Sequence, residues 1–287
     1  MPVGPYGALL DAVRGVRWPA RRPVAQGAPG VHHARSRGVA PEFAEYRPYR
    51  QGDDPKRLDW KLLARSDKAF IRLAPDHAVL GTTLLVDASA SMAFPEREPN
   101  KWTQAKRLAV GLAAVAHASG DPVGVTVVSG DGLRRLEPRT RAGVIADIAR
   151  TLDAVRPSAA PGLADAVTNA APRLAVLTDC LGDFDALRRA LARHIARGGE
   201  AWLVHIVARA ELEPGDAAML ATDPEDPARQ RPLFAATREG YLENFAAFRA
   251  EVARALRADG VQYVEVRDDE ASDAAVRRIA RPAEVTR

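Results

Sequence analysis

Asp87-Ala88-Ser89-Ala90-Ser91-Met92 follows directly on the apolar run Thr-Thr-Leu-Leu-Val at 82–86. One carboxylate and two hydroxyls, spaced two residues apart at the end of a strand, gather three hard oxygen donors of the kind that Mg2+ requires. A second carboxylate, Asp179, ends another apolar run at 173–178. Two such runs lying parallel in one sheet bring both carboxylates to the carboxyl edge, where open α/β sheets bind their ligands. Ser89 and Ser91 would then hold Mg2+, or Mn2+ or Ca2+ in its place, while Asp87 and Asp179 act through bound water. An open coordination position would accept a carboxylate from a partner protein. The same residue types also cap helices and close turns, so a metal-free structural role for this corner stays open.

Other chemistry has less support. His32, His33, His77, His117, His194 and His205 show no metal-ligand spacing with a carboxylate, and His205, inside an apolar run, is expected to be a hydrogen-bonded core residue. The single cysteine, Cys180, excludes an internal disulfide and matches no zinc or redox spacing. Without an assigned base it reads as a small core residue rather than a nucleophile. There is no Gly-x-x-x-x-Gly-Lys phosphate loop, so any ATP hydrolysis would belong to a partner. The catalytic alternative is a metal-dependent hydrolase in which the same carboxylates activate water.

From residue 81 onward strand-like and helix-like segments alternate, the pattern of a doubly wound, mostly parallel α/β sheet covered on both faces. Strands are expected at 82–86, 123–128, 173–178, 201–207 and 261–266, with 133–136 pairing back after the turn Ser129-Gly130-Asp131-Gly132. Helices are expected at 101–119, 141–155, 164–170 and 184–197. Tyr241, Phe245, Phe248, Val252 and Leu256 recur every three or four residues, which marks a long amphipathic helix with these side chains in the core. Proline and charge interrupt 213–235, which reads as a loop with short strands.

Residues 1–80 have another texture. Prolines at 2, 5, 19, 23 and 29 suggest an irregular, mobile basic arm over 1–32, followed by a β-rich extension over 33–80 and the α/β domain over 81–287. Extended segments at 42–49 and 68–73 flank Gln51-Gly52-Asp53-Asp54-Pro55-Lys56-Arg57-Leu58-Asp59-Trp60. In this block Gly52 permits a tight turn, Asp53 and Asp54 satisfy turn donors, Arg57 or Arg65 pairs with Asp59, and Trp60 packs on the main domain. The competing reading gives its carboxylates and Arg57 to a partner.

Of 41 Lys and Arg and 37 Asp and Glu, residues 1–80 hold 14 and 8, so the basic excess is N-terminal. Arg14, Arg17, Arg21, Arg22, Arg35 and Arg37 could meet phosphate or an acidic protein face. No aromatic-interleaved basic patch accompanies them, and nucleic acid is not the expected partner. The longest nearly apolar stretch, 108–118, is too short to span a bilayer, and the N-terminus lacks a secretory apolar region. A cytoplasmic protein is expected.

Asp87, Ser89 and Ser91 with Asp179 resemble the metal-ion-dependent adhesion site of von Willebrand factor A domains. Tyr49-Arg50-Gln51-Gly52-Asp53-Asp54-Pro55-Lys56-Arg57-Leu58-Asp59-Trp60 with Ala64-Arg65 is similar to the signature that precedes such a domain in the bacterial domain-of-unknown-function 58 family. Asp223-Pro224-Glu225, ahead of the long helix, is similar to that family as well, and the resemblance runs from about residue 38 to 268. It implies a von Willebrand factor A-like, Rossmann-like fold. It also implies a non-catalytic, chaperone-associated interaction module that works with a MoxR-type AAA+ ATPase or its client protein, without a small-molecule substrate. The family's site normally takes a further hydroxyl from a Gly-Gly-Thr type loop. Here that stretch is Pro157-Ser158-Ala159-Ala160-Pro161-Gly162-Leu163-Ala164-Asp165, without threonine. Ser158 substitutes if the loop folds inward; otherwise the chain is a scaffold with a vestigial, metal-free site.

Overall fold

The computed structural model describes residues 4–21, 29–38, 45–49, 60–66, 69–159, 162–215, 219–222, 228 and 230–281. Along the chain, α1 (Gly7–Ala12) precedes β1 (Pro29–Gly38), β2 (Glu45–Pro48), α2 (Trp60–Ser66) and β3 (Phe70–Ala78). Next come β4 (Thr82–Asp87), α3 (Lys101–Ala118), β5 (Val123–Ser129), β6 (Gly132–Arg139) and α4 (Val144–Asp153). Then follow α5 (Ala164–Val167), β7 (Arg173–Thr178), α6 (Phe184–Ala196), β8 (Glu200–Val207) and α7 (Arg209–Leu212). A short antiparallel pair, β9 (Met219–Thr222) and β10 (Gln230–Leu233), leads into α8 (Ala235–Ala258), β11 (Gln262–Arg267) and α9 (Ser272–Ala280).

The chain forms two compact units, Met1–Trp18 with Gly81–Arg287 and, between them in sequence, Pro19–Leu80. The first is built on a six-stranded sheet of order β11-β8-β7-β4-β5-β6, parallel except for β6, which returns beside β5 as a hairpin. Every residue of β4, β7 and β8 is buried. This is why these strands read as continuous apolar runs: a parallel strand covered on both faces has no polar side. The two-residue period still sorts their side chains. Leu84 and Val86 join one core with Leu108 and Leu112 of α3, Ile148 and Leu152 of α4, and Val276 and Ile279 of α9. Leu85 joins the opposite core with Leu187 and Leu191 of α6 and Val252 and Leu256 of α8. The winding direction reverses between β4 and β7, and open α/β sheets bind ligands beyond the carboxyl ends of the strands at such a point.

The N-terminal residues differ from the irregular arm expected over 1–32. Residues 4–18 carry α1 and bury Tyr6, Val13 and Trp18 in the main core. The physical reason is apolar area: the Trp18 ring meets Trp202 edge-on at 5.0 Å, and the Arg173 guanidinium lies over it at 4.7 Å. Residues 22–28, with Arg22, lie outside the described residues. In the second unit, β1, β3 and β2 form a three-stranded antiparallel sheet in that order. Gly52, Asp53, Asp54, Arg57 and Asp59 lie outside the described residues, as do Asp223 and Glu225; Trp60 opens α2, and Arg65 of the same helix is exposed.

Candidate metal centre

The last residue of β4, Asp87, lies level with Thr178 of β7, because Val86 pairs with Leu177 in the parallel register. The Thr178 hydroxyl donates to Asp87 Oδ2 at 2.6 Å, and the Ser89 backbone N–H donates to Oδ1 at 2.9 Å. Ser89 then stands at the N-cap position of the 3₁₀ turn Ala90–Ala93, without a side-chain cap bond, and Ser91 and Met92 of that turn are buried. The Ser89 and Ser91 hydroxyl oxygens come to 3.1 Å of each other.

Asp179 follows β7 and is likewise buried. Its Oδ1 accepts the Leu181 N–H at 3.2 Å, and its Oδ2 accepts from the Lys101 ammonium at 2.8 Å. Lys101, the first residue of α3, is also 2.8 Å from Glu211 Oε1, and Glu211 Oε2 in turn accepts the Ala208 N–H at 2.7 Å. Burial works against the charge of Lys101, but Asp179 and Glu211 outweigh it and hold its pKa above the ordinary lysine value. Asp87 has no ion pair among the described residues; burial, and then the Asp179 charge, push its pKa up to about 6. This pair of buried carboxylates, only one of them with an ammonium, leaves negative charge at the strand ends that a cation would relieve.

Cys180, between Asp179 and Leu181, takes a left-handed φ of 61°. Burial and the two neighbouring carboxylates raise its pKa well above the usual thiol value, which keeps it protonated and unreactive. His205 is buried with Nδ1 at 2.8 Å from the Tyr263 hydroxyl, and burial lowers its pKa to about 4. Both are core residues, as their sequence settings suggest.

Ser158 lies on a loop folded against this corner: its N–H donates to the Ala88 carbonyl at 3.0 Å. Its hydroxyl accepts the Gly130 N–H at 3.1 Å, and the loop presses so closely on Gly130 that a Cβ there would lie 2.4 Å from the Ala159 carbonyl. The structure thus gathers Asp87, Ser89, Ser91 and Asp179 at one edge and puts Ser158 beside Ala88, with its hydroxyl engaged by Gly130. It adds Thr178, Lys101 and Glu211, which sequence reasoning did not single out. Lys101 did leave a trace, as a lysine at a helix start, where the helix dipole disfavours a cation.

The donor set fits a small hard cation. Octahedral Mg2+ at its usual bond length sets neighbouring oxygens about 2.9 Å apart, close to the 3.1 Å between the serine hydroxyls. Among the described residues no three His, Cys, Asp or Glu side chains gather as metal ligands. No helix among the described residues is long and apolar enough to cross a membrane.

Uncharacterized proteins of Mycobacterium tuberculosis and Mycobacterium bovis are each 28% identical to this chain over 271 residues, 86% of it and 82% of their own length. Two solved structures show weak likeness. An aerotolerance-related membrane protein from Bacteroides fragilis is 19% identical at a TM-score of 0.46, over 70% of this chain and 96% of its own. BatB from Bacteroides thetaiotaomicron, a conserved hypothetical protein, is 16% identical at a TM-score of 0.45, over 69% and 96%. Residues 45–251 match the family described as protein of unknown function DUF58, and the chain belongs to that family.

Proposed function

We propose that the protein is a cytoplasmic, non-catalytic interaction module whose first unit binds a partner at the carboxyl edge of the central sheet through Mg2+. Ser89 and Ser91 would hold the ion directly, with Asp87 behind them and Asp179 acting through water. Bound there, the ion supplies a positive centre that attracts a carboxylate of the partner. The observation that carries this reading is the pair of serine hydroxyls at 3.1 Å beside a buried carboxylate without an ion pair among the described residues. Phe94 and Leu181, 38% and 48% exposed, follow the Ser91 turn and Asp179 and supply apolar area beside the ion, as docking surfaces do. The family resemblance suggests a MoxR-type AAA+ ATPase, or its client, as the partner.

Calorimetric titration of Mg2+ and Mn2+ into the full chain tests the metal. Binding to wild type that disappears in Asp87→Ala and in the Ser89→Ala/Ser91→Ala double variant is the expected result. A folded wild type that binds neither ion would sink the reading in favour of a metal-free scaffold, for which the Lys101–Asp179 ion pair is the favouring observation. Purified MoxR-type ATPase captured in Mg2+ but released by chelator would support the partner assignment; capture indifferent to chelator would remove the ion from it.

A further inference from the structure

We infer that Lys101 is the built-in counter-ion of this corner and sets how tightly it holds a divalent cation; the inference rests on the metal-site reading above. Lys101 is 1% exposed and sits 2.8 Å from both Asp179 Oδ2 and Glu211 Oε1, so one ammonium is shared by two carboxylates, one just after β7 and one from α7. Helix stability gives no reason for a lysine at the first position of α3, where the free N–H groups and the helix dipole favour an acidic residue. The two carboxylates do give one.

Divalent-cation affinity follows the charge carried by the ligands and the rigidity with which they are held. The direct donors at this corner, Ser89 and Ser91, are neutral. Asp87 contributes one carboxylate, and the charge of Asp179 is already engaged by Lys101. Lys101 therefore keeps Asp179 in place without metal and lowers the negative potential that a cation meets. The free protein holds the ion weakly, and a carboxylate from the partner supplies the charge that the corner withholds. Glu211 acts in the opposite sense: it draws the ammonium toward α7, and the Ala208 N–H fixes it there.

The test is titration of Mn2+ into the full chain, followed by the electron paramagnetic resonance signal of the free ion, for wild type, Lys101→Met and Glu211→Gln. Lys101→Met removes a positive charge and is expected to tighten binding by roughly tenfold. Glu211→Gln removes a negative charge yet keeps an acceptor for Lys101 and Ala208, and is expected to weaken it several-fold. Neither variant replaces a residue assigned to hold the metal, and opposite shifts are the signature of a charge-setting role. Shifts in the same direction, or none, overturn the inference while leaving the metal site standing. No Mn2+ bound by folded wild type or either variant instead overturns the metal site itself. Circular dichroism checks folding, and should Lys101→Met not fold, Glu211→Gln alone decides: weakened binding supports the role and unchanged binding ends it.

Discussion

Two buried cations, each facing two carboxylates, stand at opposite edges of the central sheet, and they are built differently. At the amino edge of β7, Arg173 is fully buried; it donates to Asp121 Oδ2 at 3.1 Å and to the Trp18 carbonyl at 2.8 Å, with Glu200 at 4.0 Å. At the carboxyl edge Lys101 bridges Asp179 and Glu211. A guanidinium is a rigid fork whose donors fix several partners at once, whereas an ammonium is a point charge on a flexible stem. The arginine gathers chain: its N–H meets the Gly81 carbonyl and its side chain the Trp18 carbonyl, so the two residues flanking 19–80 are both tied to Arg173. The lysine gathers charge, at the edge that also carries Asp87, Ser89 and Ser91.

The largest expected effect is at the arginine. Arg173→Met leaves Asp121 and Glu200 buried without the guanidinium and frees Trp18 from its clamp, and should cost about 3–5 kcal/mol in urea unfolding. Mg2+ should not restore any of it; restoration would erase the distinction between the two edges. Next is Asp87. Its folded pKa of about 6 lies above the unfolded value of 3.8, so its contribution is fully present below pH 4 and is lost as pH rises through 6. Two pKa units correspond to about 3 kcal/mol. In chelator, Asp87→Asn should therefore gain about that much on wild type between pH 4 and pH 7. A constant difference across this range would mean that Asp87 is not the strained carboxylate of the pair. Smaller still, saturating Mg2+ should raise the unfolding free energy of Lys101→Met by about 1.4 kcal/mol more than that of wild type, the equivalent of a tenfold tighter site, because in the variant the ion replaces the missing cation. Equal gains would make the lysine as purely structural as the arginine.

The same contrast explains how far the sequence could be read. β4, β7 and β8 stand out because strands covered on both faces are apolar over most of their length, and α8 because its aromatic residues recur at helical spacing. Asp87 and Asp179 are legible because a parallel strand delivers whatever follows it to the carboxyl edge. α9 is hidden, since the residues it buries are only Ala275, Val276, Ile279 and Ala280, among charges. The burial of Trp18 is hidden too, because it depends on Arg173, 155 residues away. Lys101 and Glu211 lie 110 residues apart and meet only once α3 and α7 are placed over the sheet; no local pattern encodes that meeting. Ion pairs between distant elements are a product of tertiary placement, and at both edges the decisive partner was the one supplied from afar.

Thr178 offers the finest distinction between the two edges. Its hydroxyl donates to Asp87 Oδ2 at 2.6 Å and accepts the Cys180 N–H at 3.1 Å, and this donation stabilises the ionised form of Asp87 against burial. Thr178→Val keeps the shape and removes only the hydroxyl. The Cys180 N–H then loses its described side-chain acceptor and Asp87 a donor, at a cost of about 1–2 kcal/mol near pH 7. Because the donor favours the charged carboxylate, its removal should shift the Asp87 titration further upward, so the penalty should shrink below pH 4, where Asp87 is protonated in both proteins. Unfolding measured at the two pH values in chelator reads this directly. A penalty equal at both would assign the bond to the Cys180 turn alone, and the charge at the carboxyl edge would then rest on Lys101 without help from the strand beside it.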